Sequence, residues 1–68
     1  MTWNDRIDKL LIAMGKAKGL DRPATASMLA KEMGVSKTSI TTWRKRNTMG
    51  IKNQLKFIEL EKRYITGG

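Results

Sequence analysis

The sequence predicts an all-α, compact domain of four or five short helices. Apolar residues recur at helical spacing in four separate segments, and no segment shows the strict alternation of a half-buried strand. The 68 residues allow one domain with one small core. Because the chain contains no cysteine and no histidine, we expect neither disulfides nor the usual zinc sites, and neither cofactor nor small-molecule ligand.

Helix 1 is predicted over about residues 3–17. Its apolar residues repeat every three or four positions, and Thr2 followed by Asp5 resembles a capping box. Gly19 ends it. Helix 2 is predicted over about residues 24–33, with Pro23 or Thr25 at its start.

Helix 3 is predicted over about residues 36–46. The positions that support it are Ala30, Gly34, Val35, Ile40 and Trp43. The alanine permits a close helix crossing, the glycine permits a left-handed turn, and Ile40 and Trp43 form the buried side of helix 3. The serine at position 36 is a good N-cap, and the Val35–Ile40 pair is that of a hydrophobic staple. This spacing is typical of a helix-turn-helix, and also compatible with any helical hairpin.

A last helix, over about residues 52–65, carries two apolar stripes on nearly opposite sides. One stripe comprises Ile51, Leu55, Ile58 and Ile65, and the other Phe57, Leu60 and Tyr64. A second stripe is unexpected in a small domain. The stripe of Phe57, Leu60 and Tyr64 is a candidate for self-association, and core contact of this stripe with helix 1 is the equal alternative.

Positive charge is concentrated in the second half of the chain. Of the net charge of +8, the span from Met33 to Ile58 supplies six lysines and arginines and no acidic residue. Such a patch attracts polyanions, and each neutralised DNA phosphate adds salt-dependent affinity.

The outward side of helix 3 and its flanks supply the candidate DNA contacts. The hydroxyl and lysine side chains proposed to approach base edges are Ser36, Lys37, Thr38, Thr41, Thr42 and Lys45. The flanking groups proposed to bind phosphates are Thr25, Ser27, Arg44, Arg46, Asn47, Thr48 and Lys52.

Residues 29–47 resemble the helix-turn-helix of bacteriophage CI-type repressors, in which a Gly-Val-Ser turn leads to a recognition helix ending in tryptophan and basic residues. The resemblance implies the lambda-repressor-like N-terminal DNA-binding domain of a lysogeny repressor, here residues 1–66, that binds operator DNA, is expected to do so as a homodimer, and represses transcription by occupying promoter DNA. It also implies that residues 67–68 begin a linker or tail. The family often has a proline where Thr48-Met49-Gly50 stands here.

Three other classes of function remain open. An antitoxin or excisionase-like regulator would keep the fold and DNA binding. An RNA-binding module would need aromatic side chains for base stacking, and both tryptophans are expected to be buried. A protein-interaction module or membrane-active peptide is a further alternative, although helix 1 carries Asp5 and Asp8. The six acids resemble solvated helix charges, and no apolar run is long enough to span a bilayer, so we expect a cytoplasmic protein that is not an enzyme.

Overall fold

The structure, a computed structural model, describes residues 2–66. Its elements in chain order are α1 Trp3–Ala17, α2 Ala26–Met33, α3 Lys37–Arg46 and α4 Ile51–Glu61, followed by a π-helical segment, Lys62–Thr66. The described residues contain no strand. The predicted all-α class with four α-helices is therefore confirmed, while the predicted tail at 67–68 lies outside the described residues.

Hydroxyl caps set the starts of the first three helices. The side-chain oxygens of Thr2, Thr25 and Ser36 accept hydrogen bonds from backbone N–H groups three residues later, at 3.1, 3.3 and 3.3 Å. Each bond satisfies a donor that the first helical turn leaves free. Thr25, one of the two predicted start residues, is the N-cap of α2, and the helix begins at Ala26, two residues after the approximate start at 24. The Ala24 N–H donates to the carbonyl of Leu11 at 2.8 Å.

The turn between α2 and α3 is a left-handed glycine turn. Gly34 has φ 71° and ψ 31°, a conformation that L-residues with a Cβ adopt at a cost. The next N–H, that of Val35, donates to the carbonyl of Ala30 at 2.9 Å, which closes the end of α2. Three residues, 34–36, thus join the two helices.

The core lies between α1 and the other helices, and α4 contributes its Phe57 side to it. Phe57 is fully buried and Leu60 is 7% exposed, while Tyr64 is half-buried against the same cluster. The interpretation of Phe57, Leu60 and Tyr64 as a dimer contact is wrong, because the two largest apolar groups have almost no surface left for a partner. The core alternative holds, and the opposite stripe of α4 faces solvent instead.

The α-helical part of α4 ends earlier than predicted. Regular helix stops at Glu61, and the chain continues to Thr66 in wider π-helical turns. In this segment the Tyr64 hydroxyl donates to Glu32 Oε1 at 2.6 Å, which attaches the end of the described chain to α2.

Gly15 permits a close approach between α1 and the loop that leads into α2. A Cβ placed on this residue would lie 2.2 Å from the carbonyl oxygen of Arg22 and 3.0 Å from the backbone N of Ala24. The loop that leads into α2 therefore packs directly on the backbone of α1. This contact sets where α2 begins relative to α1.

Candidate nucleic-acid interface

Helix α3 has a buried side and a polar side. Ile40 and Trp43 are 0% and 7% exposed and hold the helix in the core. At about 100° per residue, the positions 37, 38, 41, 42 and 45 fall within an arc of about 140° on the opposite side. The structure thus brings five of the six predicted base-reading residues onto one surface, which we call the α3 face: Lys37, Thr38, Thr41, Thr42 and Lys45.

The side chains of the α3 face are largely available to a ligand. All are exposed except Thr42, which is half-buried. Neither Lys37 nor Lys45 forms an ion pair with another described residue. The Thr41 hydroxyl donates to the carbonyl of Lys37 at 3.3 Å, which leaves its oxygen free to accept a further hydrogen bond.

Two predicted DNA contacts instead serve as helix caps. The Ser36 oxygen accepts from the Ser39 N–H and also lies 3.2 Å from the Ser39 hydroxyl. The Thr25 oxygen accepts from the Met28 N–H. Both residues are exposed at helix N-termini, where backbone N–H groups favour anions. Their hydroxyl oxygens accept the hydrogen bonds that cap the two helices. Any contact of these hydroxyls with DNA therefore involves an oxygen that is already hydrogen-bonded in the cap.

Arg44 and Asn47 connect the end of α3 to the start of α1. The Arg44 guanidinium donates to Asn4 Oδ1 at 2.8 Å and to Asp8 Oδ1 at 2.6 Å. The Asn47 side chain accepts from the backbone N–H of Trp3 at 2.7 Å. These three bonds, the α1–α3 clamp, occupy groups that the sequence interpretation gave to phosphates. The structure places Arg44 and Asn47 in the role of positioning α3.

The remaining predicted phosphate contacts are exposed and unoccupied. Ser27, Arg46, Thr48 and Lys52 are exposed, and their side chains bond to no other described residue. Ser27 lies in the first turn of α2, while the other three lie in or beside the connection between α3 and α4. These four residues come from separate segments of the sequence. Whether they lie on one surface therefore depends on how the helices pack.

Three acidic side chains of the described residues are paired with basic side chains, and one of these pairs involves α3. Asp8 pairs with Arg44, Glu61 with Arg6, and Glu32 with Lys18. The hydrogen bond from Tyr64, followed by the charge and hydrogen bond of Lys18, lowers the pKa of Glu32 against the opposing effect of burial. The same hydrogen bond raises the pKa of Tyr64. No acidic residue lies on α3 itself, so its surface keeps a positive charge.

The loop after α3 contains residues that the sequence interpretation missed. Met49 is 4% exposed and joins the core, and its carbonyl accepts from Gln54 Nε2 at 2.7 Å. Asn47 has φ 53°, a left-handed value that asparagine tolerates better than most residues. An asparagine just after a predicted helix was the available signal for that turn. Met49 thus anchors the loop in the segment where the phage repressors that residues 29–47 resemble often have proline.

Two other kinds of feature would bear on the function of residues 2–66, a metal site and a membrane-spanning helix. Residues 2–66 contain no group of three or more acidic side chains placed to hold a metal ion, and none of their helices is long and apolar enough to cross a membrane. No protein family, curated protein or solved structure matches the chain.

Proposed function

We propose that this protein binds double-stranded DNA with sequence specificity, by inserting α3 into the major groove. The observation that carries the proposal is the α3 face: exposed lysines and short hydroxyls on a helix whose other side is locked by Ile40 and Trp43. A helix presented in this way after a three-residue turn matches the second helix of a helix-turn-helix.

The chemistry of the α3 face suits base edges. Lysine donates to the O6 and N7 acceptors of guanine, and threonine offers a hydroxyl to a base or a methyl group to thymine. Each good contact of this kind contributes about 1–3 kcal/mol of discrimination. In a helix-turn-helix the N-terminal half of the recognition helix reaches the bases, which favours Lys37, Thr38, Thr41 and Thr42 over Lys45.

Phosphate contacts fix the register of the helix in the groove. The exposed and unpaired Arg46 and Lys52 are the best candidates, with Ser27 and Thr48 as neutral donors. The α1–α3 clamp supports this arrangement, because it holds the C-terminal end of α3 rigidly against α1.

The biological role is proposed from the resemblance to phage CI-type repressors. On that reading the protein occupies operator DNA in the cytoplasm of a bacterial host and represses transcription for a temperate phage. One domain reads one half-site, so two copies on a pseudo-palindromic operator supply the needed specificity. The protein is then a regulator and not an enzyme.

The test begins by selecting preferred duplexes from a random pool with the unmodified protein. Thr42→Ala should reduce the preference for the selected sequence over a scrambled one by about 1–3 kcal/mol. Arg46→Ala should weaken selected and scrambled duplexes alike and reduce the slope of log affinity against log salt by about one. Lys16→Ala removes the same charge from an exposed position on α1 and should change the slope much less.

The assignment of α3 as the reading helix fails if Thr42→Ala and Arg46→Ala both leave duplex binding unchanged. A protein that selects no duplex but binds single-stranded RNA would favour the RNA-binding alternative. Circular dichroism of each variant confirms that the fold is retained.

A further inference from the structure

One side of α4 exposes large apolar side chains to solvent. Ile51 is 77% exposed and Leu55 is 62% exposed, more than any other large apolar side chain described, and Ile58 is half-buried. Their spacing of four and three residues puts them in one row along the helix. We call this row the α4 stripe. Because Phe57 and Leu60 already satisfy the core, the α4 stripe remains available to a partner.

Charges of opposite sign border the α4 stripe along one edge. Lys52 and Glu59 are seven residues apart, about two helical turns, and therefore lie on the same side of α4. Neither forms an ion pair with a described residue, whereas the nearby Glu61 is paired with Arg6. The base stands near the start of the row and the acid near its end, with the midpoint beside Leu55.

This arrangement is complementary to itself under two-fold symmetry. If two α4 helices pack antiparallel with the axis passing beside Leu55, the same edge of each helix lies on the same side of the pair. Lys52 of one copy then stands opposite Glu59 of the second copy, and the reciprocal pair forms as well. Self-complementarity is what an isologous interface between identical chains requires.

We propose that the α4 stripe is the surface through which two copies of this chain pair, antiparallel, with Leu55 at the two-fold axis. The pairing rests on the proposed DNA binding in one respect: adjacent half-sites are what bring the copies together. In this pairing Lys52 lies at the edge of the contact between the two copies, in addition to being a candidate phosphate contact.

The size of the α4 stripe indicates a weak contact. A stable interface buries about 800 Å² on each partner, which is much more than two or three aliphatic side chains supply. Two copies bound to neighbouring half-sites experience an effective concentration of the order of millimolar, which suffices for a weak pair. The contact therefore appears as cooperative DNA binding more than as a dimer in dilute solution.

A cysteine cross-link tests the contact without DNA, because the chain contains no cysteine. Helices packed about 9 Å apart, with Cα atoms about 2.3 Å from each axis, bring facing Cα atoms within about 4–6 Å, a distance that a disulfide spans. At high protein concentration, Leu55→Cys should form the disulfide-linked dimer about tenfold faster than Ile12→Cys, a control at an exposed apolar position on α1. Adding Glu59→Gln to Leu55→Cys should slow it. Equal rates for the two cysteine variants would overturn the proposal.

Cooperativity on DNA supplies the second measurement. On a duplex with two half-sites, Leu55→Gln should reduce cooperative binding roughly 10- to 100-fold, since each pair loses two leucines, while affinity for a single half-site stays unchanged. Ile12→Gln should alter neither quantity. If cooperativity survives Leu55→Gln, the α4 stripe is not the interface. If the selective cross-link forms but no duplex binds, self-association stands and the proposed DNA binding fails.

Discussion

Replacing Gly15 with alanine is expected to destabilise the protein, although alanine is the better helix former. Gly15 lies inside α1, where the intrinsic preference for alanine over glycine is worth about 1 kcal/mol. The Cβ of alanine, however, would lie 2.2 Å from the Arg22 carbonyl oxygen, so backbone has to move to restore even a 3.0 Å separation. The packing of the loop on α1 therefore opposes the propensity of the helix.

The magnitude follows from the groups that must shift. Displacing the loop at residues 22–24 introduces overpacking strain of about 1–3 kcal/mol. It also threatens the 2.8 Å bond from the Ala24 N–H to Leu11, whose loss costs about 1 kcal/mol. After subtracting the helix propensity, we expect a net loss of about 1–3 kcal/mol in the free energy of unfolding. In a domain of this size each kcal/mol lowers Tm by about 4–8 °C.

Thermal and urea unfolding followed by circular dichroism measure this change. Gly50→Ala is the matched control, because Gly50 has φ −62° and its added Cβ would meet only Asn53 Nδ2 at 3.5 Å. Because Gly50 is the N-cap of α4, a position where alanine is less favourable than glycine, the control should lower Tm, but less than Gly15→Ala does. A Gly15→Ala protein as stable as the unmodified one, or more stable, would refute the close approach, since propensity alone predicts that result.

Two further predictions concern hydrogen bonds that join helices. Tyr64→Phe should destabilise the protein by about 1 kcal/mol near neutral pH. Because the bond lowers the Glu32 pKa from its ordinary 4.5, its contribution is lost as pH falls through the lowered value. Because it raises the Tyr64 pKa above 10.0, the contribution is also lost as pH rises through the raised value, so unfolding curves of the two proteins should converge at both extremes. For the α1–α3 clamp, a double-mutant cycle of Arg44→Gln and Asp8→Asn should give a coupling of about 0.5–1 kcal/mol that shrinks with added salt, and zero coupling at low salt would contradict the ion pair.

Local chemistry explains why much of the fold and the site could be predicted. Thr2 and Ser36 cap helices through bonds to residues three positions away, and Gly34 ends α2 through its own φ angle, so each signal lies within a few residues. The α3 face follows in the same way, because one regular helix converts the spacing of Ile40 and Trp43 into a buried side and an outward side.

The roles of the flanking residues could not be predicted in this way. From the sequence, Arg44 and Asn47 are interpreted as phosphate ligands. Their partners in the structure, Asn4, Asp8 and the backbone of Trp3, are 36 to 44 residues away in the chain, so no local pattern indicates them. The charge pattern alone does not distinguish an arginine that is available to bind a phosphate from one that is already paired with a carboxylate. The distinction requires the packing of α1 against α3.

The sequence by itself determined the hydroxyl caps of α1 and α3, the left-handed turn and the polar side of α3, because these depend on hydrogen bonds and dihedral angles of neighbouring residues. Only the tertiary structure decided which stripe of α4 is buried, since both stripes have helical spacing and comparable apolar content. Packing against Trp3 and α1 selected Phe57, whose ring centroid lies 5.7 Å from that of Trp3, and left Ile51 and Leu55 in solvent. Likewise only the loop crossing α1 shows why position 15 is glycine, because a steric limit between distant segments leaves no mark on the local pattern.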